Sequence, residues 1–236
     1  METELSVING LAFLHRPQTG DLDVIKEVIE GDNYCLKDIP LTGPLRVIDV
    51  GAHIGSFSRH VESIWPGSKY WAYEANPRNW ELLKQNTACL DIQVFEGACV
   101  GTEPENKRMI MDKRYVDVTG GWGINWGPAK PLNACDTFEP ITNFYSLHDV
   151  LKDTDIDILK IDCEGSEWNI LYYLPYEDLK RVKYFLGEFH PGALLHCKLP
   201  YDLIRHKILS VFDCPALEER TSYDPSELYN VFGVRR

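Results

Sequence analysis

No apolar run in the 236-residue sequence reaches the roughly 18 residues that a membrane-spanning helix needs. There is no basic stripe either. The formal net charge is −12, and the terminal Arg235-Arg236 pair is too short to matter. A protein that neutralises many phosphates needs clustered Lys and Arg, so long nucleic acids and anionic membranes are disfavoured as partners. The start, Met1-Glu2-Thr3-Glu4-Leu5, lacks the basic and apolar regions of a secretory signal, and a cytoplasmic protein is expected. The seven cysteines form no Cys-x-x-Cys pair and no Cys/His cluster at zinc spacing, which points away from a disulfide framework or structural zinc and towards free thiols. Repeats and low-complexity tracts are absent. With 44% hydrophobic and 25% charged residues, the composition is that of one ordinary globular domain spanning 1–236.

What is present is an alternation of short β-branched runs with helical stretches, the pattern of an α/β protein. Residues 1–44 read as an N-terminal helical extension, with a helix over Asp21 to Ile29 for which Asp21 is the available cap. Strands are expected at Leu45 to Val50, Lys69 to Glu74, Ile92 to Val100, Ile156 to Ile161, Val182 to Phe189, Ser210 to Asp213 and Leu228 to Val234. Helices are expected at Ser56 to Trp65, Pro77 to Thr87, Ser146 to Lys152, Ser166 to Leu174 and Tyr201 to Ser210. These add up to a Rossmann-like, mostly parallel seven-stranded sheet covered by helices on both faces. Between 101 and 155 the pattern breaks into an insertion that would shape an acceptor site. It offers a hairpin from Lys107 to Met111 and Tyr115 to Val118, then Thr119 to Pro128 with four glycines and two tryptophans. Trp122 and Trp126 would close over a ring, with the glycines as hinge.

The strongest local signal is Val47-Ile48-Asp49-Val50-Gly51-Ala52-His53-Ile54-Gly55-Ser56-Phe57, a buried strand running into a glycine-bearing turn that opens a helix. Gly51 and Gly55 permit positive φ and close backbone approach, so a ligand can lie against the main chain. Dinucleotide enzymes use Gly-x-Gly-x-x-Gly to place a pyrophosphate on the helix N-terminus. Here the spacing is Gly-x-x-x-Gly with an acid two residues ahead, which suits a cationic ligand end, such as the amino group of a methionine moiety. Glu74, followed by Ala75, lies 25 residues after Asp49 and tips the second strand, where a carboxylate accepts both ribose hydroxyls. Gly97 and Ala98 end the third strand, where a small residue and a backbone N–H would face an adenine. An NAD-dependent oxidoreductase shares much of this pattern, but the missing middle glycine argues against it.

Ile156-Asp157-Ile158-Leu159-Lys160-Ile161-Asp162-Cys163-Glu164-Gly165-Ser166-Glu167 reads strand, acidic turn, helix. Together with the segment 47–58, it closely resembles the FkbM family of methyltransferases, whose members carry an Asp-Val-Gly-Ala-Asn-Ile-Gly type loop and a Leu-Lys-Ile-Asp-x-Glu-Gly-x-Glu segment. The resemblance covers about 45–190. It implies a class I methyltransferase fold, S-adenosylmethionine as cofactor, and O-methylation of a hydroxyl on a sugar, polyketide or similar small molecule. Carried over by position, Asp49, Gly51 and Gly55 would contact the methionine part and Glu74 the ribose. His53 stands where Asn is commoner and keeps a hydrogen-bonding side chain at the cofactor.

The residues themselves place Asp162, Glu164 and Glu167 after one strand, and Glu188 and His190 at the end of the next. In a parallel sheet the carboxyl ends of strands line the ligand crevice. Asp162, Glu188 and His190 would therefore converge on a methyl acceptor, Asp162 also touching the cofactor and His190 or Glu188 removing the hydroxyl proton. In the plainer reading Glu164 and Glu167 merely favour the first turn of the next helix. The trio could also hold a divalent metal that lowers the acceptor's pKa, a minority expectation without ligand spacing in the sequence behind it. A cofactor-binding module without catalysis is the remaining alternative.

Overall fold

The computed structural model describes residues 2–102, 109–112, 138–141, 143–191, 199–220, 224 and 228–236. The chain opens with a hairpin, β1 (Glu4–Ile8) and β2 (Leu11–His15), joined by Asn9-Gly10 with φ of 47° and 82°. Two successive positive φ angles are the type I′ turn that matches the twist of the strands, and Asn-Gly is the pair that adopts it most readily. The N-terminal segment is thus a hairpin followed by the expected helix α1 (Asp21–Ile29). Asp21 does not cap that helix. Its carboxylate instead accepts from Arg16 Nε (2.8 Å), Nη2 (2.6 Å) and backbone N (3.0 Å). A buried guanidinium outcompetes the helix amides because an unpaired charge there would be costly.

The main sheet contains β3 (Arg46–Val50), β4 (Lys69–Glu74), β5 (Asp91–Glu96), β10 (Ile156–Ile161), β11 (Val182–Phe189), β12 (Phe212–Asp213) and β13 (Tyr229–Arg235). Its order is β5-β4-β3-β10-β11-β13-β12, with the first five strands parallel and β13 antiparallel to both its neighbours. The chain moves outward from β3 through β4 to β5, then starts again beside β3 with β10. The crevice for a ligand therefore opens above the carboxyl ends of β3 and β10.

Strand alternation sorts the core between the two faces. Val47, Ile158 and Leu186 pack with Ile25 and Val28 of α1, Phe57 and Val61 of α2 (Ser56–Ile64) and Leu82 of α3 (Pro77–Asn86). Ile48, Val50, Leu159 and Phe185 face the other way. They meet α4 (Leu147–Leu151), α5 (Glu167–Tyr173), α6 (Tyr176–Leu179), α7 (Tyr201–Leu209) and α8 (Pro215–Glu218). The proline start of α3 is as expected, and Asn76 caps it by accepting from Arg78 N.

Two expectations change. The run 92–100 is not one strand. Gly97 N donates to Glu74 O at the end of β5, and from Ala98 the chain changes partner, β6 (Ala98–Val100) pairing with β9 (Phe144–Ser146). A Cβ on Gly97 would sit 2.5 Å from Asn143 O, so only glycine fits the crossing. The hairpin expected at 107–118 also differs. Met109–Asp112 (β7) pairs antiparallel with Phe138–Ile141 (β8), a far longer loop closure than the sequence pattern suggested. Tyr115 to Val118 and the loop of Trp122 and Trp126 lie outside the described residues.

Candidate active site

At the end of β3 the chain turns back on the amides of Gly51 and Ala52, which both donate to Tyr73 O of β4 (2.9 and 3.0 Å). Gly51 has φ +77°, and a Cβ there would lie 1.8 Å from the carbonyl oxygen of Asp162. The glycine thus brings the turn hard against the end of β10. His53 adopts φ +51°, the left-handed region that Asn tolerates best among the larger residues. A Cβ on Gly55, φ +94°, would lie 2.7 Å from Thr87, just past the end of α3, and 3.2 Å from Leu83 on it.

Asp49 and Lys160 are direct register partners on β3 and β10. Asp49 is fully buried, with Oδ1 3.2 Å from Lys160 Nζ and Oδ2 accepting from Ser58 Oγ (2.8 Å). Lys160 also donates to Gly51 O (2.7 Å) and Val50 O (3.2 Å). Burial works against its charge, but the Asp49 and Asp162 carboxylates outweigh that and push its pKa above the ordinary lysine value. Lys160 is therefore a buried cation that clamps the glycine turn, a role the sequence reading did not assign it.

A cavity of about 380 Å³ opens above this clamp. Gly51, His53, Glu74, Ala75, Gly97 and Ala98 line one part of it, and Asp162, Glu188 and His190 another. Asp49 and Gly55 are not in its wall. The geometric reason is plain: Asp49 is turned towards Lys160 and Ser58, and Gly55 towards α3. Both shape the turn from behind. Residues of the N-terminal segment complete the wall, among them Val28 and Tyr34.

Glu74 is buried at the tip of β4. Its Oε2 accepts from His53 N and its Oε1 from Asn76 N, each at 2.7 Å. Burial raises its pKa, partly offset by these amides. The Asn79 side chain is a third hydrogen-bond partner, which leaves one of the carboxylate's four lone-pair positions for a further donor. The His53 ring is held by Nε2, 3.2 Å from Asp21 Oδ1, and its buried Nδ1 has no hydrogen-bond partner among the described residues.

At the other end, Tyr34 donates its hydroxyl to Asp162 Oδ2 (2.6 Å). Glu167, fully buried, accepts from the amides of Cys163 (2.9 Å) and Gly165 (3.0 Å), so it braces the turn from within rather than entering the cavity. His190 sits between carboxylates, Nδ1 3.1 Å from Glu167 Oε1 and Nε2 3.3 Å from Glu164 Oε2. Burial opposes its charge, yet the Glu167 and Glu164 carboxylates prevail and raise its pKa to about 11. At neutral pH it is an imidazolium with both N–H groups engaged, unable to take a proton. Glu188 accepts no hydrogen bond from the described residues, and burial together with the Asp162 charge raises its pKa. Asp162, Glu188 and His190 each offer one ligand atom within 4.8 Å of the other two. A cation placed there would have to displace the His190 proton.

A parallel sheet in this order with its sixth and seventh strands paired antiparallel, a glycine turn after the first strand and an acid tipping the second define a class I methyltransferase. The sequence from 49 to 196 matches the model of the methyltransferase FkbM domain, which is well over half of the chain. The protein belongs to this family of S-adenosylmethionine-dependent methyltransferases. No curated protein matches its sequence. Among solved structures, it is similar to methyltransferase FkbM from Methylobacillus flagellatus KT, at 14% identity and a TM-score of 0.47, covering 85% of this chain and 46% of that one. It is also similar to precorrin-6y C5,15-methyltransferase from Geobacter metallireducens GS-15, at 13% identity and a TM-score of 0.43, covering 98% and 95%. A third is the Pyrococcus abyssi tRNA (uracil-54, C5)-methyltransferase in complex with S-adenosyl-L-homocysteine, at 10% identity and a TM-score of 0.46, covering 99% and 44%. No helix among the described residues is long and apolar enough to cross a membrane.

Proposed function

We propose that the protein transfers a methyl group from S-adenosylmethionine to a hydroxyl of a small molecule, such as a sugar or polyketide. The cavity's donor set fits that cofactor. Glu74, at the tip of β4, has a lone-pair position left for a ribose hydroxyl. Ala75, Gly97 and Ala98 supply small side chains in the wall for an adenine, and the Asp162 carboxylate in the same cavity meets a cationic amino-acid end. When bound, the cofactor supplies a methyl group made electrophilic by its sulfonium.

The observation that carries the acceptor reading is the state of Glu188. It is a half-buried carboxylate in the cavity, unpartnered among the described residues and more basic than an ordinary glutamate. It takes up the proton that a hydroxyl loses as its oxygen becomes bonded to carbon. The His190 imidazolium beside it balances the local negative charge and stays a cation throughout. The base in this reading is thus Glu188, not His190. The rest of the protein aligns the acceptor and excludes water. The net charge of −12 sets the whole molecule against polyanionic acceptors. Cys99 lines the cavity shortly before the segment 101–155 begins, and Asn143 of that segment lies against Gly97 in the wall, which supports its expected part in shaping the acceptor side.

The test is label transfer from methyl-labelled cofactor to a panel of polyhydroxylated small molecules, with structured RNA and protein as controls. Transfer to a small-molecule hydroxyl is expected, and Glu188→Gln should lower kcat by about 100-fold or more while leaving cofactor affinity within about twofold. Transfer to RNA or protein alone, or full turnover by Glu188→Gln, would refute the proposal.

A further inference from the structure

The match to the family begins at Asp49, yet the cavity is not complete without residues that precede it. Tyr34 is separated from Asp162 by 128 positions, and its hydroxyl makes the 2.6 Å bond to Oδ2. The ring has little freedom to do anything else. It packs edge-on against Phe57 of α2 at 5.1 Å and 80°, and the Lys160 ammonium lies 5.5 Å from its centroid. The following turn is locked as well. Asp32 accepts from Leu36 N (2.9 Å) and Lys37 N (3.3 Å) through its two oxygens, and Cys35 adopts φ +53°. Burial, reinforced by the Asp162 charge, holds the phenol well above its usual pKa, so it remains a donor.

The consequence falls on Asp162. One of its oxygens is fixed by Tyr34, and the other is left for a ligand. Asp49, the acid that the motif would assign to the cofactor's amino group, is turned away into its bond with Lys160. Asp162 is then the carboxylate that borders the glycine turn, because its charge acts on Lys160, which itself donates to Gly51 O.

We propose that Tyr34 is a positioning residue for the cofactor's amino-acid end: by holding Asp162 Oδ2, it presents the other oxygen to the ammonium group, so that the N-terminal segment outside the family-matched region completes the site. The inference rests on the S-adenosylmethionine reading above.

Two probes separate this role from mere support of the fold. S-adenosylhomocysteine carries the amino-acid end, whereas 5′-methylthioadenosine shares the adenosine and thioether but lacks it. By calorimetry on the full chain, Tyr34→Phe should weaken S-adenosylhomocysteine about tenfold, the value of one hydrogen bond to a charged group, and leave 5′-methylthioadenosine within about twofold. Asp162→Asn should show the same selectivity, and adding Tyr34→Phe to it should cause little further loss. Equal weakening of both probes, or no weakening of either, would overturn the role of Tyr34. Failure of the unaltered protein to bind S-adenosylhomocysteine would overturn the cofactor reading itself, and this inference with it.

Discussion

Replacing Lys160 by methionine removes a charge from a place where its partner cannot reach water. Asp49 is 0% exposed and Lys160 only 3%, and the pair is set by strand register rather than by flexible side chains. Methionine fills similar volume, so packing changes little, but the Asp49 carboxylate keeps only Ser58 Oγ and the carbonyls of Val50 and Gly51 lose a donor. Breaking one partner of a buried ion pair costs about 3–5 kcal/mol. For a domain of this size each kcal/mol moves Tm by about 2–4 °C, so a drop of about 6–20 °C is expected. Urea melts at constant m-value and scanning calorimetry measure it. Asp49→Asn combined with Lys160→Met should recover part of the loss, because no charge is left buried. A Tm within about 2 °C of the parent, with no coupling between the two sites, would refute the reasoning.

Gly51→Ala should destabilise the protein severely and abolish S-adenosylhomocysteine binding, because a Cβ 1.8 Å from Asp162 O forces the turn off the end of β10; wild-type melting and binding would contradict this. His190 has a folded pKa of about 11 against an ordinary 6.5, so its contribution to stability is complete below pH 6.5 and is lost as pH rises towards about 11. His190→Gln should flatten the fall in urea-derived stability between about pH 7 and 9.5, and an unchanged slope would show that the proton is held elsewhere.

The parts of the fold readable from sequence were those with local causes. Strand and helix periodicity located all seven strands of the main sheet, and the glycine turn and Glu74 were recognisable because each follows a buried run. The hairpin at residues 4–15 carries a readable signal in Asn9-Gly10 between two apolar stretches. Lys160 carried one too. A lysine among Ile156, Ile158, Leu159 and Ile161 must find a buried partner, and strand alternation puts it on the face of Asp49. Tyr34 left no such trace, since its bond to the site crosses 128 positions. Asp21 shows why an available cap is a weak inference, as Arg16 and His53 offered it stronger partners. The sequence does not reveal that Glu164 and Glu167 close on both nitrogens of His190, the observation behind proposing Glu188 as the base.

The central claim is that the turn at Gly51 and the acid at Glu74 grip one adenosine-bearing ligand. Calorimetric titration of the purified protein with S-adenosylhomocysteine, alongside NAD, tests it most directly. The account predicts one saturable site for S-adenosylhomocysteine, none for NAD, and loss of binding in Glu74→Ala. Absence of heat with S-adenosylhomocysteine, or full affinity in Glu74→Ala, would contradict it.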